Sequence, residues 1–190
     1  MSWKEKTLIN TCHDPWKHYI VDNFLPKDLY TFVKTYPIHK HDGFKTGITN
    51  AGHTNSERCF INKHSKFYKL KNWFDERFLV PGTTLRGEIS KNSITLPHSD
   101  DHLRKVTIVV TINRTSDSIE GTYLYDKDIN LKKIVPWKNN RAVIFYPIED
   151  ITFHSSQREL DFNQERRTLI VSYVTPEGWK DKHQLWDAQG

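Results

Sequence analysis

Cysteine is scarce, with only Cys12 and Cys59 in 190 residues. That excludes a disulfide scaffold and fits a reduced, cytoplasmic setting (the host cytoplasm for a viral protein). No run approaches the ~18 apolar residues of a membrane span, and the opening Met-Ser-Trp-Lys-Glu-Lys has no apolar signal stretch, so no membrane partner is expected. Repeats, low-complexity tracts and Pro/Gly-rich linkers are also missing, which leaves the chain as one domain over 1–190. Nor is there a large excess of one charge. The net +5 is uneven: residues 1–95 carry 15 Lys/Arg against 9 Asp/Glu, and residues 96–190 carry 13 against 14. A basic first half suits an acidic partner or nucleic acid, but lysines such as Lys63, Lys66, Lys69 and Lys71 alternate with core positions and read better as a solvated helix surface.

Aromatics are plentiful at 13%, enough to build a core and line a groove. Tyr19–Asn23 reads as a strand. Leu29, Phe32, Val33 and Tyr36 recur at helical spacing behind Pro26, which suits a first helical turn. Phe67, Leu70, Phe74 and Phe78 form one apolar stripe, predicting a second helix over about Ser65–Leu79. Between them, Ile38–Cys59 has glycines and asparagines but few large apolar residues, and is expected to be an irregular segment covering the site as a lid. From Thr84 onward short strands follow: Leu85–Ser90, Val106–Asn113, Gly121–Tyr125, Leu131–Ile134, Ala142–Tyr146, Ile151–His154 and Thr168–Val174. The expected fold is mainly β with flanking helices, a jelly roll (double-stranded β-helix) with helical support and lid in 1–80 and the core in 84–175. Ligands of such folds bind in the mouth between the sheets.

The chemistry concentrates in His98-Ser99-Asp100, His154 and Arg166. One His-x-Asp triplet means little, since composition alone predicts ~0.7 of them. Context adds weight, because residues i and i+2 of an extended segment share a side and Pro97 opposes a helix there. Two imidazoles and a carboxylate can fill one face of an octahedral metal and leave the other open. Two decoys lie close by. His98-x-x-x-His102 resembles a zinc pair but lacks the glutamate, follows a proline and runs into strand residues. Asp101 points opposite to Asp100 on an extended chain. Arg166 and Arg167 are adjacent, so only one faces inward. Thr168, Ile170 and Ser172 share parity with Arg166, whereas Leu169, Val171 and Tyr173 share parity with Arg167. The Arg-x-Thr pairing favours Arg166 as the inward carboxylate ligand, with Arg167 turned away and of small consequence.

These segments resemble the Fe(II)/2-oxoglutarate-dependent oxygenases, in particular the prolyl 4-hydroxylase-like branch found in bacteria and phages. Pro15–Pro26 is similar to the family's opening strand and helix start, Leu85–Ser90 with Leu96–Asp100 to the strand leading into the metal motif, and Gly121–Tyr125 to the segment placing a small residue beside the pocket. Asn140–Phe145, Phe153–Ser155 and Arg166–Thr168 are similar to the C-terminal half of its core. The resemblance implies that His98, Asp100 and His154 hold Fe(II) and that Arg166 with Thr168 binds the distal carboxylate of 2-oxoglutarate. The family often places a tyrosine on the strand before the metal motif. None lies between Thr83 and His98, so that role passes to Arg86, Ser90 or Tyr125. The implied reaction decarboxylates 2-oxoglutarate to succinate, with dioxygen as co-substrate and ascorbate as an accessory reductant, and hydroxylates a protein or peptide side chain, prolyl among the candidates. A small-molecule substrate and a non-catalytic binding module are the alternatives. Base demethylases of this kind carry a second arginine shortly after the first, where this chain turns apolar, so nucleic acid is the less favoured partner.

Overall fold

Side chains alternate across the central strands, with apolar residues on one face and polar residues on the other, and this alternation dictates the architecture. The computed structural model describes residues 9–38, 45–49, 53–61, 65–91, 95–114, 121–156 and 166–177. Their elements in chain order are β1 (Ile9–Cys12), β2 (His18–Val21), α1 (Lys27–Thr35), β3 (Lys45–Thr49), β4 (His53–Phe60), α2 (Tyr68–Phe78, entered through a 3-10 turn at Ser65–Phe67) and β5 (Thr84–Lys91). There follow β6 (Thr95–His98), β7 (Arg104–Arg114), β8 (Gly121–Tyr125), β9 (Leu131–Pro136), β10 (Arg141–Phe145), β11 (His154–Ser156) and β12 (Arg166–Val174). They form two antiparallel sheets, one ordered β1-β2-β10-β7-β12-β5-β4-β3 and the other β6-β11-β8-β9.

The larger sheet turns Leu85, Ile89, Ile108, Val110, Leu169, Val171 and Tyr173 outward, where they pack with Leu29 and Val33 of α1 and Leu70, Phe74 and Phe78 of α2. These side chains are nearly all below a tenth exposed, so truncating any one of the phenylalanines costs ~3–5 kcal/mol. The other face meets the smaller sheet. At the β2–β10 side that space is filled by Trp16, Val143 and Phe145 against Leu124 and Val135. At the β7–β12–β5 side it stays polar and open.

Both helices fall where the apolar stripes predict them. The differences concern the strands between the helices and the start of β11. Ile38–Cys59 was expected to be irregular, yet β3 and β4 pair with each other and β4 pairs with β5. The segment has few large apolar residues, so hydropathy gives no strand signal there, while the pairing is made through the backbone. The lid expectation falls partly on residues 39–44 and 50–52, which lie outside the described residues. The first 80 residues therefore supply four strands as well as the helices. His154 opens β11 rather than closing a strand at 151, because residues 149–151 form a turn. Gly121 does not border the cavity. Its place is fixed by β9, since a Cβ there would collide with the Val135 carbonyl oxygen.

Arg167 faces away from the polar side, as parity requires, but it is not idle. It is buried, and its Nη1 donates to the carbonyl oxygens of Val33, Lys34 and Tyr36 at 3.1, 2.7 and 2.9 Å. A helix leaves its last carbonyls without partners and carries partial negative charge there, so a guanidinium answers both needs of α1. Arg167→Ala is expected to destabilise the protein by ~2–3 kcal/mol, the cost of stranding buried acceptors. Thermal denaturation should show Tm falling by roughly 4–12 °C, and an unchanged Tm would remove this role.

Candidate metal centre

Three strands on the polar side of the larger sheet set out a grid. From β5, β12 and β7, the register places Ser90, Thr168 and Thr111 in one row, Glu88, Ile170 and Val109 in the next, and Arg86, Ser172 and Thr107 in the third. Successive rows are about 7 Å apart. Arg166 precedes the first row. The cavity between the sheets is about 130 Å³ and is lined from this grid and from Thr95, His98, Asp100, Arg104, Thr122 and His154.

The opposite wall carries the candidate ligands. β6 is an edge strand, which tolerates Pro97. Its last residue, His98, pairs across the ladder with His154, the first residue of β11, and their rings stand 4.4 Å apart. Asp100 follows two residues later. One donor atom from each of His98, Asp100 and His154 lies within 4.8 Å of the others, the group among the described residues that could close on one cation. Asp101 and His102 are not in it. His102 pairs with Glu149 at the surface, Nδ1 to Oε2 at 3.0 Å, so the zinc-like spacing is not assembled.

Hydrogen bonds prepare each ligand. His98 Nδ1 lies 2.8 Å from the Leu96 carbonyl and His154 Nδ1 lies 3.1 Å from the Thr152 carbonyl. A carbonyl only accepts, so each Nδ1 is the donor and each Nε2 is left as the ring atom open to a metal. Burial lowers the His154 pKa to about 4, with His98 adding to the effect and Asp100 opposing it, so this imidazole is neutral at physiological pH. Asp100 is 3% exposed. Burial alone would raise its pKa, but Arg104, the two imidazoles and the Thr107 hydrogen bond outweigh that and hold it well below the ordinary carboxylate range. Arg104 Nη1 contacts Oδ1 at 2.9 Å and Thr107 Oγ1 donates to Oδ2 at 2.7 Å. One carboxylate and two imidazole nitrogens suit a divalent cation of the iron type and, bound through the imidazole lone pairs, would leave it net charge +1.

The far end of the cavity holds the residues expected to meet a carboxylate. Arg166 is 8% exposed, its guanidinium lies over the Trp137 ring at 5.1 Å, and its Nη1 donates to the Ser156 carbonyl at 3.4 Å. Thr168 Oγ1 and Ser90 Oγ are hydrogen-bonded at 2.7 Å. Arg166, Thr168 and Arg86 line the cavity and Ser90 lies behind Thr168, fully buried, but Arg86 lies in the row of Ser172 and Thr107, two rows from Thr168. Tyr125 does not line the cavity. Its hydroxyl is bound to Ser155 Oγ at 2.8 Å, and its place beside a strand irregularity turns it from the positions that Thr122 and Leu124 occupy. Sequence reasoning missed Arg104, Thr107 and Trp137. Only Thr107 left a signal, as a polar residue alternating with Val106 and Ile108.

No family model matches the sequence, and no curated protein matches it. Solved structures do. A prolyl hydroxylase from Trichoplax adhaerens, in complex with a hypoxia inducible factor oxygen degradation domain peptide, superposes with TM-score 0.62 at 15% identity over 84% of each chain. A prolyl-4-hydroxylase of Pseudomonas putida superposes with TM-score 0.60 at 13% identity, over 83% of this chain and 92% of its own. HygX of Streptomyces hygroscopicus, holding nickel, 2-oxoglutarate and hygromycin B, gives 0.55 at 11% identity over 84% and 83%. The fold is therefore the jelly roll of 2-oxoglutarate-dependent oxygenases.

The Arg104–Asp100 pair makes the site self-supporting without metal. Arg104→Met should cost ~3–5 kcal/mol by leaving a buried carboxylate unpaired. A divalent cation, taking over that carboxylate, should restore much of the loss. Thermal denaturation of the variant with and without Mn(II) checks this, and a metal-independent loss would contradict it.

Proposed function

We propose that the protein is an Fe(II)- and 2-oxoglutarate-dependent oxygenase that hydroxylates a protein or peptide side chain. The observation that carries this reading is the convergence of His98, Asp100 and His154 at one end of a cavity whose other end presents Arg166 and Thr168. Iron(II) bound by the three ligands would supply open positions at which 2-oxoglutarate and dioxygen react, coupling decarboxylation to succinate with insertion of one oxygen atom into a substrate C–H bond.

The chain's own residues do the rest. Arg166, immobilised over Trp137, offers two parallel hydrogen bonds to the distal carboxylate of 2-oxoglutarate, and Thr168 with Ser90 adds hydroxyl donors beside it. Val109 and Ile170 form the apolar floor between the two ends, where the methylenes of a diacid would lie. Thr107 and Arg104 fix both oxygens of Asp100, so the ligand carboxylate does not swing on loading. The structural neighbours hold a peptide in one case and hygromycin B in another, so the fold accommodates either kind of substrate. The peptide reading follows the prolyl hydroxylase neighbours.

Anaerobic titration with Fe(II) and then 2-oxoglutarate should produce a weak visible charge-transfer band. His98→Ala, Asp100→Ala and His154→Ala should each abolish both the band and succinate formation. Arg166→Ala should weaken 2-oxoglutarate by roughly two to three orders of magnitude, since losing one member of a buried charge pair costs ~3–5 kcal/mol. Fe(II) binding should survive in that variant, and Arg166→Lys should recover only part because an ammonium lacks the two-pronged geometry. A wild-type protein that binds Fe(II) but forms no band with 2-oxoglutarate would refute the proposal.

A further inference from the structure

Arg86 is not used by the chemistry above. Its side chain reaches into the cavity in the row of Ser172 and Thr107, and it forms no hydrogen bond or ion pair of its own with any described residue. Arg104, its neighbour there, is committed to Asp100. An arginine without a partner in a shielded site is costly, because desolvation is not repaid by a counter-charge. Burial, followed by the like charge of Arg104, indeed disfavours the charged guanidinium, while Glu88, Asp101 and Asp100 only partly offset this.

The charge of the loaded cavity points the same way. Three arginines, Arg86, Arg104 and Arg166, face two acids, Glu88 and Asp100. A divalent metal and a dianionic co-substrate cancel one another, so the filled site keeps one positive charge. Nor is Arg86 placed to hold the distal carboxylate at Thr168. Two rows separate their strand positions, about 13 Å. The keto-acid end of the co-substrate is already neutralised by metal. Arg86 is also half-buried rather than sealed, so a second molecule can reach it.

We propose that Arg86 is the anchor for a carboxylate on the primary substrate, making this a hydroxylase of carboxylate-bearing amino acids or peptides. The inference rests on the oxygenase reading and narrows its substrate class. The carboxylate can be a chain terminus or an aspartyl side chain.

The test uses full-length protein loaded anaerobically with Fe(II) and 2-oxoglutarate, and follows perturbation of the charge-transfer band. One arm titrates N-acetyl-leucine against N-acetyl-leucinamide, a terminal carboxylate against its amide. The other titrates N-acetyl-aspartamide with a free side-chain carboxylate against N-acetyl-asparaginamide. In at least one arm the acid should bind about ten- to a hundredfold tighter than its amide, the worth of one charge-assisted hydrogen bond. Arg86→Gln should bring that ratio to about one, and Arg86→Lys should keep part of it. Equal binding of acid and amide in both arms, no binding by either acid, or an unchanged ratio in Arg86→Gln would overturn the inference. Loss of the band itself in Arg86→Gln would overturn it too, since Arg86 would then hold the co-substrate. If the wild-type band never forms, the oxygenase reading fails first and this inference falls with it.

Discussion

The structure depends on one constraint, the division of β5, β7 and β12 into an apolar face and a polar face. A sheet that is apolar on one side must cover it, and α1 and α2 do so. The polar side cannot be packed dry against a second sheet, because each buried hydroxyl or charge would need its own partner. The second sheet therefore closes over only the β2–β10 side, through Trp16, Phe145 and Leu124, and leaves a cavity over the rest. The adjacent arginines show how strict this division is. Arg166 and Arg167 differ by one position, and one lies over Trp137 in the cavity while the other caps α1 on the opposite face. A slip of one residue in β12 would exchange them and lose both functions.

Within the cavity the decisive element is a carboxylate buried against its preference. Asp100 stays ionised because Arg104 and Thr107 satisfy its two oxygens. Such a pair contributes little net stability, since desolvation consumes much of the attraction. What it provides is position. The carboxylate is held where a cation can meet it together with two lone pairs, and the backbone carbonyls of Leu96 and Thr152 orient those lone pairs.

How much of this was legible in the sequence depended on whether a residue's placement follows from period or from a turn. The helices, the central strands and the inward turn of Arg166 follow from periods of 3.6 or 2, whereas His98, Asp100 and His154 were grouped by their ligand chemistry and by the family resemblance. Arg104 was not legible, because it reaches Asp100 only through the turn at residues 101–103, whose geometry no periodicity encodes. Trp137 reaches Arg166 from the β9–β10 connection for the same reason. The strands β1, β3 and β4 escaped notice because their segments carry few large apolar residues to set a period, and their pairing is made through the backbone ladder. In β6, Leu96 is 54% exposed although it lies in a strand. Tyr125 was a stand-in for a family tyrosine rather than a reading of period, and its hydroxyl is bound to Ser155 outside the cavity lining.

The same grid would let one cavity address two acids at once, as proposed. An antiparallel ladder repeats its inward positions every two residues, so groups placed two rows apart cannot compete for the same small anion. Arg166 and Thr168 occupy one end, and Arg86 with Ser172 occupies the other, while Ile170 and Val109 insulate them with apolar surface. The metal ligands enter from the opposing sheet at the Arg86 end. On the proposed reading, a co-substrate gripped at the Arg166 end would extend toward the metal ligands, and a second molecule would meet Arg86 at that end. Spacing along the strand, rather than any single contact, separates the roles of two arginines that are chemically identical.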